Sequence, residues 1–421
     1  MMTRDYAPSA APGWTPTGGC CALTARRRSR RTTANTGAGR STRNRLRVLG
    51  WSSGLERDLS SSRLGEHLVG FNYDYWMNCE CGQRSLVTAA HYHEQSTVDA
   101  LAPCQHCGRD IHYGTYVTAI RDTADPSLSN EAVNTLAWYH TSTQADWPSS
   151  SFAQTRAKEL QSLREILPGQ LDSIVDRETT LALHVGTYEA AIENMLRRMR
   201  YQDDHDRTFY LHRVTLRLKP NEIEPGYRDE NDAPASRLSV NDLRSADYLA
   251  VRYLNVHESP GSLSLAIDPT AIEAIQSVAL PPPGVVPDAR PTVPSKLAPL
   301  QIALDTAMRA VEERTEHLNR LPDNDAVLND DEAVEKLIGP NRSSVYEVWH
   351  YVGQILSEEY LPGINPVVRE NFISAIDRWR EHTSPSVDSY HRKFSQLALL
   401  LTRQSDIAGG ASLAPTRRFA P

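Results

Sequence analysis

The sequence predicts a multidomain α+β protein with a zinc ribbon, a central mixed α/β domain and a C-terminal helical bundle. Three observations predict it. Two cysteine pairs, each closed by a glycine, lie within residues 79–108. Between 130 and 280, short apolar strands alternate with stretches of helical spacing. Beyond LPPPGVVPDARPTVPS, leucines recur every three or four residues.

At 421 residues the chain has room for several domains. Its 40% hydrophobic and 23% charged content suits a packed core. No apolar run is long enough to span a membrane, and no apolar leader opens the sequence. A cytoplasmic protein is expected, with its six cysteines as thiols or metal ligands. The net charge of −7 hides an asymmetry, because residues 1–50 carry ten arginines against Asp5 alone. The acidic remainder argues against broad electrostatic contact with nucleic acid.

Residues 1–50 read as a disordered Arg-rich segment with no hydrophobic period. It is either an arm for nucleic acid or targeting, or upstream DNA read as protein from a mis-called start. The absence of any pattern favours the second.

The first folded segment, 65–120, contains Cys79, Cys81, Cys104 and Cys107. Four thiolates complete a tetrahedral zinc site with no open position, which makes it structural. Gly82 and Gly108 allow the tight turns of two knuckles. The first pair is C-x-C, which leaves room for a histidine substitute from His91, His93, His106 or His112. SLVTAA and STVDAL are the expected ribbon strands. The ribbon's role is open between binding nucleic acid, binding protein and bracing a neighbour.

In the central domain (130–280), LAWYHTST at 136–143 and LALHV at 181–185 read as strands, with a helical stretch around 152–166 between them. Thr187 is placed to N-cap a helix whose apolar face holds Tyr188, Ile192, Met195, Leu196 and Met199. TFYLHRVTLRL at 208–218 alternates, with Val214, Leu216 and Leu218 inward and Arg213, Thr215 and Arg217 outward. An irregular polar insert fills 219–246. Strands follow at 247–256 and 262–267, joined by the turn HESPG, and Asp268-Pro269 start a short helix. A Pro-rich linker spans 281–295. A four-helix bundle occupies 296–405, read as a packing domain or a partner-binding surface. Residues 406–421 are expected to be a disordered tail.

In their order, these elements resemble the ADP-ribosyltransferase fold, in its histidine–tyrosine–glutamate branch, and its relatives the tRNA 2′-phosphotransferases. The resemblance covers 136–280 and rests on element order with three short motifs, WYHTST, LHVGTYEAA and HESPG. It implies an NAD-dependent transferase, such as a toxin or defence effector, acting on a protein or nucleic-acid acceptor. His140 would bond the adenine-side ribose, and Thr141 would help grip nicotinamide. Tyr188 would stack on the nicotinamide ring, with His184 competing for that place. Glu258 would bond the nicotinamide ribose and stabilise the oxocarbenium ion. The sequence departs from the pattern where Thr141 follows the first histidine and where Tyr188 falls in a helical turn. The 2′-phosphotransferase pattern needs arginines, for which Arg213, Arg217 and Arg252 are available. The alternative is a non-enzymatic binding protein with an inactive scaffold. Nothing suggests a metallohydrolase, since HExxH is absent.

Overall fold

The computed structural model describes residues 64–95, 101–112, 117–149, 151–159, 171–202, 204–230, 235–320 and 331–420, with Gly114 and Gly169. The expected Arg-rich segment lies outside them. The fold is mixed α+β, and no helix among the described residues is long and apolar enough to cross a membrane.

Two small hairpins come first. The strands β2 (Tyr75–Asn78) and β3 (Arg84–Val87) pair antiparallel, as do β4 (Leu101–Pro103) and β5 (Asp110–His112). Each cysteine pair sits in the connection of one hairpin. The SLVTAA strand ends at Val87, and its last residues begin helix α1 (Ala89–Gln95). Of STVDAL, only Leu101 lies in β4, and 96–100 fall outside the described residues.

The main sheet has the order β1 (Gly65–Glu66), β6 (Leu136–Ser142), β8 (Phe209–Leu216), β12 (Ile272–Leu280), β13 (Thr416–Arg418). All its pairings are antiparallel except β1 with β6. A second sheet runs β7 (Leu183–Val185), β11 (Leu263–Ile267), β10 (Ala250–Leu254), β9 (Arg228–Asp229). Trp138, Val185, Val214, Leu265, Ile267 and Ile275 form a buried cluster shared by both sheets. The sheets also touch through backbone: Tyr139 and Gly186 exchange two 2.9 Å hydrogen bonds. Between β6 and β7 lie α2 (Phe152–Glu159), where the helical stretch expected around 152–166 begins before leaving the described residues, and α3 (Leu171–Thr180). At the sheet junction the chain leaves β7 and enters helix α4 (Tyr188–Tyr201), capped by Thr187, whose hydroxyl accepts from the Ala190 amide.

The other face of the main sheet is covered, so β8 is buried on both sides. Arg213 is 7% exposed and pairs with Glu66 instead of facing solvent. That face is covered by α4 over β6 and by α10 (Gln404–Ser412) over β8 and β12, and on α4 packs the bundle of α6 (Val293–Asn319), α7 (Asp331–Tyr360), α8 (Pro366–Thr383) and α9 (Val387–Thr402). Tyr188, Ile192, Leu297, Phe372, Phe394 and Leu400 belong to one continuous apolar cluster. The Pro-rich stretch therefore links elements of a single core, and the bundle does not stand apart. The first hairpin joins the same cluster through Met77 and Val87, and Asn365, the N-cap of α8, donates to Tyr73 O at 2.8 Å.

Three expectations are corrected. Asp268-Pro269 start only a 3-10 turn, and the chain then enters the nine-residue β12, rich in β-branched residues. The expected disordered tail is ordered: Ile407, Ala408 and Ala411 of α10 (Gln404–Ser412) are buried, and β13 closes the main sheet. The polar insert contains β9 and the short helix α5 (Val240–Ser245), held by a Ser239–Asp242 capping box.

The HESPG turn is held from several directions. Arg121 N donates to Gly261 O at 2.8 Å, and Arg121 Nη2 donates to Ser259 Oγ at 2.9 Å. Ser259 N donates to the buried Glu193 at 2.9 Å. Gly261 has φ +83°, and a Cβ there would lie 2.8 Å from Ala119 O. Gly261→Ala is therefore expected to destabilise the protein by about 1–3 kcal/mol, measured by chemical denaturation.

Candidate functional site

The two knuckles bring four sulfurs together. Cys79, Cys81, Cys104 and Cys107 lie within 4.8 Å of one another, close enough to hold a metal ion. Cys79 to Cys107 is 3.6 Å and Cys81 to Cys104 is 3.8 Å. A tetrahedral ion with metal–sulfur bonds of about 2.3 Å needs sulfur separations near 3.8 Å, and those two pairs are close to that value, so the donor set suits an ion such as zinc. Gly82 and Gly108 adopt φ +78° and +73°, and each donates its amide to the first cysteine carbonyl of its knuckle at 2.9 Å. No histidine substitutes for a thiol: among the described residues the group contains the four cysteines alone.

The surroundings favour thiolates. Ser85 Oγ and the amide of His106 donate to Cys104 Sγ, holding its pKa down to about 5. At Cys79 the Cys81 amide favours the thiolate, but burial and the other three thiols push the group up to about 12. A cation at the centre removes that conflict by making all four ligands anionic.

The second site is a cleft of about 310 Å³ beside the Tyr139–Gly186 junction, lined by residues of both sheets and of α4. His140 from the end of β6, His184 from β7 and Glu258 from the HESPG turn all line it. Their segments are far apart in sequence, and the sheet junction brings them together. His140 Nδ1 lies 2.9 Å from His184 O, so it carries the proton and leaves Nε2 as an acceptor. Its ring stacks on Trp147 at 4.1 Å. Burial holds both imidazoles below their ordinary pKa, His184 at about 4, so both are neutral at pH 7. His184 Nδ1 pairs with Tyr253 Oη at 3.0 Å. Glu258 is 17% exposed, and Arg197 Nε on α4 sits 2.5 Å from its carboxylate.

Two expected site residues are elsewhere. Tyr188 is 0% exposed, points into the core, and donates its hydroxyl to Leu400 O at 3.0 Å. It cannot stack on a ligand in the cleft, because its side chain is turned into the bundle, while Ala190 and Ala191 of the same turn line the cleft. Thr141 is also fully buried, and its hydroxyl donates to Ala191 O at 2.6 Å. Alternation along β6 puts His140 in the cleft and Thr141 under α4. Arg213, Arg217 and Arg252 do not line the cleft either. Arg213 bonds Glu66, Arg217 bonds Phe419 O, and Arg252 bonds Ser127 O.

The cleft also contains residues that sequence reasoning passed over. Arg197 and Asn194 project from α4, Asn255 and His257 flank Glu258, and Glu230 follows β9. Burial, and then the charge of Glu258, push Glu230 up to about 7. The polar faces of α4 and of the insert read as solvated surface, and only the fold turns them toward the turn.

Two measurements follow from this geometry. The purified chain should carry bound zinc by elemental mass spectrometry, and Cys107→Ser should lose it. Tyr188→Phe should cost about 1–3 kcal/mol of stability and leave the chemistry of the cleft unchanged. The sequence matches no protein-family model and no curated protein, and the fold matches no solved structure.

Proposed function

We propose that this chain is an NAD-dependent ADP-ribosyltransferase-like enzyme braced by a structural zinc ribbon. The observation that carries the reading is the convergence of His140, His184 and Glu258 on one cleft. The cleft is of a size to admit part of a dinucleotide. Breaking the nicotinamide–ribose bond builds positive charge on the sugar. A carboxylate fixed on a rigid turn, as Glu258 is, lowers that barrier by electrostatic preorganisation. His140 Nε2 accepts from a ribose hydroxyl. His184 takes the place beside the nicotinamide that Tyr188 cannot reach. Asn194 supplies a neutral polar contact, while the buried Asn255 amide is held by Ser262 and Ser264. The zinc has no open position, and its part is to hold the two hairpins against the core. The acceptor is a protein or nucleic acid. Unpaired thiols in a zinc knuckle suit a reducing compartment such as the cytoplasm.

A second reading, a binding protein without turnover, has one observation in its favour. Arg197 occupies the Glu258 carboxylate, so a ligand must displace the guanidinium before the carboxylate can act. Incubating the full chain with labelled NAD⁺ and cell lysate separates the two. The enzyme reading expects nicotinamide release or label transfer, reduced at least about 100-fold by Glu258→Ala. A folded, zinc-loaded chain that leaves NAD⁺ intact supports the binding reading instead.

A further inference from the structure

We propose that Glu230 is the general base of this cleft, taking the proton from the acceptor hydroxyl or water as Glu258 stabilises the sugar cation. The inference rests on the reading of the cleft given above and adds a second catalytic carboxylate to it.

The argument starts from position. Glu230 is the residue after the short edge strand β9, which pairs parallel to β10 and is thereby aimed along the same sheet that carries Tyr253. It lines the cleft with Glu258, on the other side of the β10–β11 connection. Its Oε2 faces the amide of Val256 at 3.4 Å, two residues before Glu258. The two carboxylates are therefore tied to one turn and open onto one space. Their environments differ. Glu258 has the Arg197 guanidinium at 2.5 Å, whereas among the described residues no ion pair holds Glu230. Across the cleft, Glu230 faces Glu258 and His257 of the turn, Arg197 of α4, Tyr253 of β10 and His184 of β7. Burial and the charge of Glu258 raise its pKa to about 7, against the weaker pull of the Val256 and Ala235 amides and of Arg197. A carboxyl raised by burial, set beside a second carboxyl that is paired with a guanidinium, suits a proton transfer next to a charge-stabilising group.

The step balances without a further reactant. The bond between the ribose C1′ and the nicotinamide nitrogen breaks, and its electron pair leaves with neutral nicotinamide. A bond forms between C1′ and the acceptor oxygen. The acceptor's proton passes to the Glu230 carboxylate and then to solvent. Glu230 serves as base only when ionised, so turnover should rise with pH through about 7.

The test is nicotinamide release from NAD⁺ by the full chain between about pH 5.5 and about pH 9, with NAD⁺ affinity measured in parallel. Glu230→Gln keeps the size of the side chain and an oxygen to accept from Val256. It should lower turnover about 100-fold or more and abolish the rising limb, with NAD⁺ affinity and melting temperature unchanged. Glu230→Asp should retain the limb at reduced rate, which separates proton transfer from packing. If Glu230→Gln keeps both the limb and the rate, or loses affinity in step with turnover, Glu230 is not the base, and the enzyme reading stands without it. A wild-type chain that neither binds nor cleaves NAD⁺ overturns the enzyme reading and this assignment together.

Discussion

The carboxyl of Glu193 is the contact on which the site depends. It is buried in the middle of α4, accepts from Tyr73 Oη at 3.0 Å, and accepts from Ser259 N at 2.9 Å. Burial, the largest influence, pushes it up to about 7 despite these donors. One side chain thus joins the segment before the ribbon, the central helix and the turn that carries Glu258. Burying such a group without partners costs several kcal/mol, so the three segments are held in one arrangement by a polar contact with few alternatives. The next turn of α4 presents Arg197 to Glu258, and the first turn anchors Tyr188 to the bundle. The helix therefore couples the packing of the bundle to the geometry of the cleft.

The cleft lies beside the junction of the two sheets, lined by Tyr139 and His140 of one and by His184, Tyr253 and Ser264 of the other. At Gly186 a methyl group would collide with Ser264 Oγ, so the contact between Tyr139 and residue 186 needs glycine. Beyond that contact, His140 and His184 project side by side into the gap. They are neutral, partly buried and each paired at Nδ1, and they are suited to hydrogen bonding more than to metal or charge chemistry. The site's charges come instead from Arg197, Glu230 and Glu258.

Local patterns made much of this legible. The cysteine spacing with its glycines pointed to the metal knuckles, since both the ligands and the turn lie within a few residues. The apolar run at 136–143, the alternation at 262–267 and the Thr187 cap mark elements that the fold retains. Tyr188 was misread because an aromatic in a first helical turn looks the same whether it faces a cleft or a core. The strand β12 is hidden because Glu273, Gln276 and Ser277 break its apolar alternation, although each finds a partner in the fold: Arg418 for Glu273, Ser412 O for Gln276 and His212 for Ser277. Tertiary contacts carried the rest: Glu230 and Arg197 lie on polar stretches, and nothing local distinguishes them from solvated surface.

The most direct measurement is a crystal structure of the full zinc-loaded chain grown with NAD⁺. The account predicts the dinucleotide in the cleft, its nicotinamide ribose beside Glu258, with Arg197 moved from the carboxylate. An empty cleft at saturating NAD⁺, or a nucleotide bound at another surface, would contradict it.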